Sequence, residues 1–345
     1  MTAIDRTAYP RFRATLTPSE LHEHFTPSTA ELALAEAQTP DPAGKLAFLA
    51  LYKCMQTLNY LPGEEEIPPE VIAHLRWYLQ MADDVPAQVS PRSRRRYAQV
   101  IRQVMGLKHA VEEALQVARD AMEQAAQVRD HPADLINAAL ETLLKAWYEF
   151  PAFSALDRLA GTVRAEVNER WCQQILARIP EPERARLERL LETSDGSSDY
   201  ARLKETPKSA TLSHLDEWFQ RLRWLQSFGE VAAWIQDVPV LKIHHLAAEA
   251  RALDVAELRD YTLPRRIALV TSLLYYAQIQ TRDELITMLI KRMAAIHHQA
   301  KEHLEILLQQ ERATMERWME GFAEITRSVA GGRMIPPSAT WRARW

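Results

Sequence analysis

Apolar residues recur along this chain at intervals of three and four. Leu46, Leu49, Ala50, Cys54 and Leu58 follow that spacing, as do Val71, Ile72, Leu75, Tyr78 and Leu79. The pattern predicts amphipathic helices with one buried face each. Tyr97, Val100, Ile101 and Val104 form the expected inner face of another. Start signals precede the periodic stretches. Thr17-Pro18-Ser19-Glu20, Thr26-Pro27-Ser28-Thr29, Asp41-Pro42, Ile67-Pro68-Pro69-Glu70 and Ser90-Pro91 each place a capping residue or proline where a helix opens. Gly106 marks an end.

Beyond it, helices are expected over about 109–128 and 132–149. A short break at Pro151 separates them from a long helix that starts at Ser154 and reaches about Arg178. Helix, tight turn, capped helix is the grammar of a helix-turn-helix. Residues 193–209 are polar and turn-rich and read as a linker. Helices resume over 211–228, 230–237, 243–252, 254–260 and 264–280. The longest is expected over 282–325, with Leu285, Leu289, Met293, Ile296, Leu304, Leu307, Leu308, Met315 and Phe322 forming a packing seam. The tail over 327–345 has no period.

This is an all-α chain in expectation: tandem helix-turn-helix-like lobes over 1–108 and 109–192, then a scaffold or dimerisation region over 210–326. Composition agrees. Nine glycines in 345 residues are few for a strand-rich fold, which needs turns. Cys54 and Cys172 are far apart and form no metal-spaced pair, so a reduced, cytoplasmic protein is expected. No run of about 18 apolar residues predicts a membrane span.

Charge changes the picture. The chain carries a formal net charge of -4, yet residues 91–108 hold Arg92, Arg94, Arg95, Arg96, Arg102 and Lys108 and no acid. Guanidinium groups concentrated on one segment suit phosphate oxygens, and a basic cluster in a helical chain points to nucleic acid. Basic side chains at a helix N-terminus also oppose the macrodipole, which makes an external anion the better reason for them. Other candidates are Arg11 and Arg13 on an extended arm, His74 and Arg76 on a first reading helix, and Ser154, Arg158, Thr162 and Arg164 on a second.

Other constellations are weaker. His22 with His24, His244 with His245, and His297 with His298 and His303 lack the spacing of a zinc site, because adjacent helical residues point about 100° apart. Asp83 with Asp84 and the run Glu64, Glu65, Glu66 read as solvated caps. The aromatic set Trp218, Phe219, Trp224, Phe228 and Trp234 reads as core. No glycine-rich phosphate loop or nucleophile elbow occurs, so no metal and no cofactor is expected.

Several ordered stretches are familiar. Tyr9-Pro-Arg-Phe-Arg13, Leu16 through Thr26, Leu46 through Pro62, Ile67 through Leu75, Ser93 through Arg102, and Pro151 through Leu159 follow one another as in the N-terminal region of Tn-three family replicative transposases, which the chain resembles over most of residues 9–325. The resemblance implies a region that recognises the terminal inverted repeats of a transposon through tandem helical modules. It also implies that strand cleavage belongs to a later domain with an Asp-Asp-Glu metal triad, which has no counterpart here. The expectation is therefore a truncated, non-catalytic chain whose partner is double-stranded DNA and which pairs with a second copy or with full-length transposase. The alternative is a helical protein-protein scaffold that binds and regulates full-length transposase.

Overall fold

Local signals place the helices. In the computed structural model, which describes residues 4–13, 15–194, 197–207 and 209–331, every proline-containing start signal opens a helix or its cap. The first five helices are α1 (Pro18–Phe25), α2 (Thr29–Gln38), α3 (Pro42–Leu58), α4 (Pro69–Tyr78) and α5 (Pro91–Met105). Thr17 and Ser28 close reciprocal capping boxes with Glu20 and Glu31, satisfying backbone donors that would otherwise be orphaned. Ser90 caps α5 by accepting from the Ser93 amide, and Gly106 ends it at φ 65°, a left-handed conformation suited to glycine.

The central helix α3 is the hub of this first lobe. Leu46, Phe48, Leu49, Met55 and Leu58 are all essentially inaccessible, and α4 and α5 pack on it through Val71, Leu75, Tyr97 and Ile101. Val104, expected to face inward, is half exposed. It lies only about 20° from Tyr97 around the helix but two turns further on, at the C-terminal end of α5.

The second lobe packs α6 (Val111–Ala126), α7 (Pro132–Lys145) and α8 (Phe153–Arg178) around Ala118, Met122, Leu135, Ile136, Leu143, Leu156 and Val163. The connection between α7 and α8 spans residues 146–152, and that between α4 and α5 spans 79–90. Both are longer than the three to four residues of a tight helix-turn-helix, so the expected short turn is replaced by longer connections. Tyr9 is buried in this lobe and donates to the Pro151 carbonyl at 3.0 Å, which anchors the N-terminal arm.

The chain continues through α9 (Glu181–Arg189), a two-residue antiparallel pairing of β1 (Thr193–Ser194) with β2 (Ser197–Ser198), and α10 (Asp199–Leu203). The stretch read as an irregular linker thus carries a small hairpin and a helical turn. Then follow α11 (Leu212–Gln226), α12 (Val231–Trp234), α13 (Val240–Ala252), α14 (Val255–Asp260) and α15 (Leu263–Ala330). The all-α class is borne out. The two helices expected over 264–280 and 282–325 are one helix of 68 residues. No glycine or proline interrupts it between Pro264 and Gly321, and Thr281, at the expected break, is buried and accepts from Arg221 Nε at 3.2 Å.

Two compact units result: residues 1–200 with 232–273, and residues 201–231 with 274–345. In the second, Leu215 and Trp218 of α11 pack on Leu285 and Met288 of α15, and Trp218 Nε1 donates to Glu284 at 2.9 Å. Trp218 and Phe228 are core as expected, whereas Phe219 is 43 % exposed. Of the irregular tail expected over 327–345, residues 332–345 lie outside the described residues, while 327–330 continue α15 and Gly331 forms a turn.

In the first unit, one buried ion pair stands out. Lys242 of α13 reaches Asp130 at 2.6 Å and Asn168 Oδ1 at 2.8 Å, and Asn168 donates to Asp130 at 2.9 Å. The Lys242 side chain is 3 % exposed. Burial alone pushes the Asp130 carboxyl up. The bonds from Lys242 and Asn168, with the charges of Lys242 and Arg164, outweigh it and leave the carboxyl below its ordinary range.

Candidate nucleic-acid interface

The basic stretch is a helix with two unlike sides. Tyr97, Ala98 and Ile101 bury one side of α5. Arg92, Arg95, Arg96, Gln99 and Gln103 are exposed on the other. At 100° per residue these five side chains fall within a stripe about 100° wide and about 16 Å long. Arg92 and Arg95 have no hydrogen bond or ion pair among the described residues. Arg96 makes one exposed bond to the Gln38 carbonyl at 3.1 Å and lies 5.2 Å from the Tyr97 ring centroid.

The other cations of the stretch are held by the protein itself. Arg94 donates to the Pro62 carbonyl and lies 3.7 Å from Glu64. Arg102 forms a bidentate pair with Glu149 at 2.7 and 3.1 Å. Lys108 is exposed, with its ammonium 4.9 Å from the Tyr148 ring centroid. The basic run is therefore two sets: Arg92, Arg95, Arg96 and Lys108 exposed, and Arg94 and Arg102 fastening α5 to its neighbours.

That fastening joins the two lobes. The Lys108 amide donates to the Trp147 carbonyl at 2.8 Å, the Glu149 amide returns to Lys108 at 3.1 Å, and the Phe150 amide donates to Asn59 at 2.9 Å. Asn59, itself at φ 57°, donates through its side chain to Tyr148 at 2.9 Å. Glu149 is nearly buried and also takes His109 Nδ1 at 2.6 Å. Replacing Arg102 by alanine leaves that carboxylate with His109 alone, so a loss of about 1.5–3 kcal/mol is expected, read by urea unfolding of wild type and variant followed by far-ultraviolet circular dichroism.

The remaining candidates divide in the same way. Arg11 is paired with Asp5, and Arg13 with Glu20 at 2.6 Å. His74 lies 3.0 Å from Thr26 Oγ1, and burial with the nearby His22 holds its pKa below the ordinary histidine value. Arg76 donates twice to the Val85 carbonyl, at 3.1 and 2.6 Å, and so ties down the connection to α5. The expected reading helix α4 thus turns His74 and Arg76 onto its own lobe, where Thr26 and the Val85 carbonyl engage them. The solvent side of α4 carries Trp77, 73 % exposed, which the sequence reading passed over.

On α8, Ser154, Arg158 and Thr162 share one exposed side at intervals of four. Thr162 Oγ1 donates to the Arg158 carbonyl at 3.1 Å, so its hydroxyl is engaged. Arg164 lies 3.5 Å from Asp130 and belongs to the ion cluster around Lys242. The structure does not gather the α8 set into a basic face like that of α5.

Small-molecule chemistry finds little footing. A cleft of about 260 Å³ behind α5 is lined by Ala47, Ile72, Val89, Arg76 and Arg94, but both arginines are already bonded to backbone carbonyls. Cys54 and Cys172 are buried thiols pushed up by burial to about 12 and about 11. Among the described residues no group of three His, Cys, Asp or Glu is placed to hold a metal ion, and no helix is long and apolar enough to cross a membrane.

Residues 1–163 match a domain of unknown function, DUF4158. That segment contains α1 to α7 and the start of α8, and hence the whole α5 face. The chain is 23 % identical over 287 residues to the transposase for transposon Tn3926 from Escherichia coli, across 82 % of its own length and 29 % of that protein's. The resemblance to transposases is real. A second relative, the transposase for transposon Tn501 from Pseudomonas aeruginosa, is 23 % identical over 299 residues, covering 83 % of the chain and 30 % of that protein. The expected resemblance to transposases is borne out by these two relatives. The chain spans about 30 % of the length of the curated relatives it matches.

Proposed function

We propose that this chain binds the terminal inverted repeats of a transposon as the DNA-recognising part of a transposase. One observation carries the reading: Arg92, Arg95 and Arg96 stand unopposed by any acid on the exposed stripe of α5. Three like charges on adjacent turns, at the positive end of the helix macrodipole, disfavour the free helix. A phosphate backbone turns the same arrangement into a favourable one. The similarity to transposases supplies the process this binding serves.

The reading assigns the described residues recognition and no strand cleavage. Footprinting the purified chain on the ends of the mobile element that encodes it tests this. Protection confined to the inverted repeats is expected; uniform or absent protection overturns the assignment. Magnesium-dependent nicking of the same DNA would overturn the non-catalytic part.

A second reading, association with another copy of the chain, has its own observation. From Ile286 onward α15 exposes Ile290, Met293, Leu304, Leu307, Trp318, Phe322, Ile325 and Val329, more than half of each side chain for most of them. Ile286, Ile290, Met293, His297, Ala300, Leu304 and Leu307 alternate steps of four and three, the spacing of a coiled-coil seam. Acids and bases nearly balance along this stretch, so two such helices do not repel. Light scattering is expected to give twice the chain mass of 39.6 kDa, and a Leu304→Arg, Leu307→Arg variant the single mass. Equal masses would refute the pairing.

A further inference from the structure

We infer that Gln99 and Gln103 read base edges in the major groove, adenine by preference, from the α5 stripe that the arginines anchor. The inference rests on the DNA reading of that stripe and adds what the side chains there select.

Both glutamines are exposed, and neither side-chain amide has a hydrogen-bond partner among the described residues. Several other helical glutamines of this chain are engaged, while Gln124, Gln174, Gln299, Gln309 and Gln310, like Gln99 and Gln103, have no side-chain partner among the described residues. Gln116, Gln173 and Gln220 bond an acid four residues away, at 2.8, 3.1 and 2.8 Å, and Gln56 bonds Glu31 at 2.8 Å. Gln99 and Gln103 lack that option because α5 has no acid; the residues four positions before and after Gln99 are Arg95 and Gln103. An amide donor and acceptor are thus left pointing off a face whose remaining groups are cations.

An amide carries no net charge and adds nothing to phosphate neutralisation. Its paired donor and acceptor instead match the N7 acceptor and N6 donor of adenine, a pattern distinct to the major groove. The geometry is compatible with one docked helix. Arg92, Arg95 and Arg96 occupy the first turns and would grip phosphates at the groove edge. Gln99 and Gln103 follow along the same stripe, about 6 Å apart, which is about two base-pair steps. The lock between Arg102, at the edge of this stripe, and Glu149 ties the helix to the second lobe, so the stripe is presented on a fixed element.

The test is selection from a random-sequence duplex library by the full chain and by Gln99→Ala, Gln103→Ala and the double variant. Wild type is expected to enrich adenine at two positions about two base pairs apart. Each single variant is expected to lose one of those preferences, by roughly 5- to 100-fold against the other bases. Affinity for mixed-sequence duplex should change less than about threefold, since no phosphate contact is removed. Both side chains are exposed, and an unchanged thermal transition confirms that the variants fold. Enrichment identical in wild type and variants, or duplex binding by wild type without base preference, overturns the inference while leaving DNA binding standing. No duplex binding by wild type at any salt overturns the DNA reading itself, and this inference with it.

Discussion

Arg92→Ala, Arg95→Ala and Arg96→Ala combined should weaken binding to a repeat-end duplex by two to three orders of magnitude at about 0.1 M salt. The magnitude follows from counterion release. Each phosphate neutralised contributes about 0.9 to the slope of log affinity against log salt, so three contacts lower that slope by about 2.7 and cost about that many log units at 0.1 M relative to 1 M. Arg94 is left in place because it holds the Pro62 carbonyl, and its loss would mix folding with binding. The triple variant should also be slightly more stable than wild type. It removes like charges at neighbouring helical positions and at the wrong end of the macrodipole, and alanine is the better helix former. Fluorescence anisotropy of a labelled duplex, repeated from about 50 to 300 mM salt, measures affinity and slope together. A variant that keeps the wild-type slope refutes the α5 interface, and a melting curve tells lost binding from lost structure.

Asp130→Ala should be the most damaging substitution outside the apolar cores. It strands Lys242, whose side chain is 3 % exposed, with only the Asn168 oxygen at 2.8 Å as a partner. Removing one member of a buried pair costs about 3–5 kcal/mol, because the other charge remains out of water. In a unit of this size that is roughly 6–20 °C of melting temperature. Lys242→Met with Asp130→Ala should recover much of the loss, since the double change removes both charges. A pH series gives an independent check. The folded Asp130 carboxyl titrates below its unfolded value, so the unfolded chain takes up the proton first as pH falls. The contribution of the pair is complete above about pH 4 and fades as pH drops through the lower folded value. Wild type should therefore lose its advantage over Asp130→Asn in that acid range and keep it at neutral pH. A gap that does not change with pH would show that the carboxylate charge is not what stabilises the fold.

Much of the architecture was legible because it rests on local rules. Ser90, Pro91 and Gly106 bound α5 by capping and backbone geometry that involve no distant residue. Tyr97 and Ile101 face the core because the helical period puts them on one side. The reading failed where a local signal had a distant partner. A break was expected at residue 281, yet Thr281 is buried against Arg221 and α15 runs on. The turn before α8 looked tight, yet residues 146–152 are spent on reaching Lys108 and Asn59.

The candidate interface shows the same division. That residues 91–108 are basic and free of acids is written in the chain, and so is the helical period that sets Arg92, Arg95 and Arg96 on one side. Which cations remain available depended on tertiary contacts. Glu149 and Pro62 are far from α5 in sequence and next to it in space, and they take Arg102 and Arg94. Asp5 and Glu20 take Arg11 and Arg13. Periodicity and capping act over a few residues and can be read from order alone. The pairing of one charge with another is decided by distance and burial, which exist only once the helices have packed.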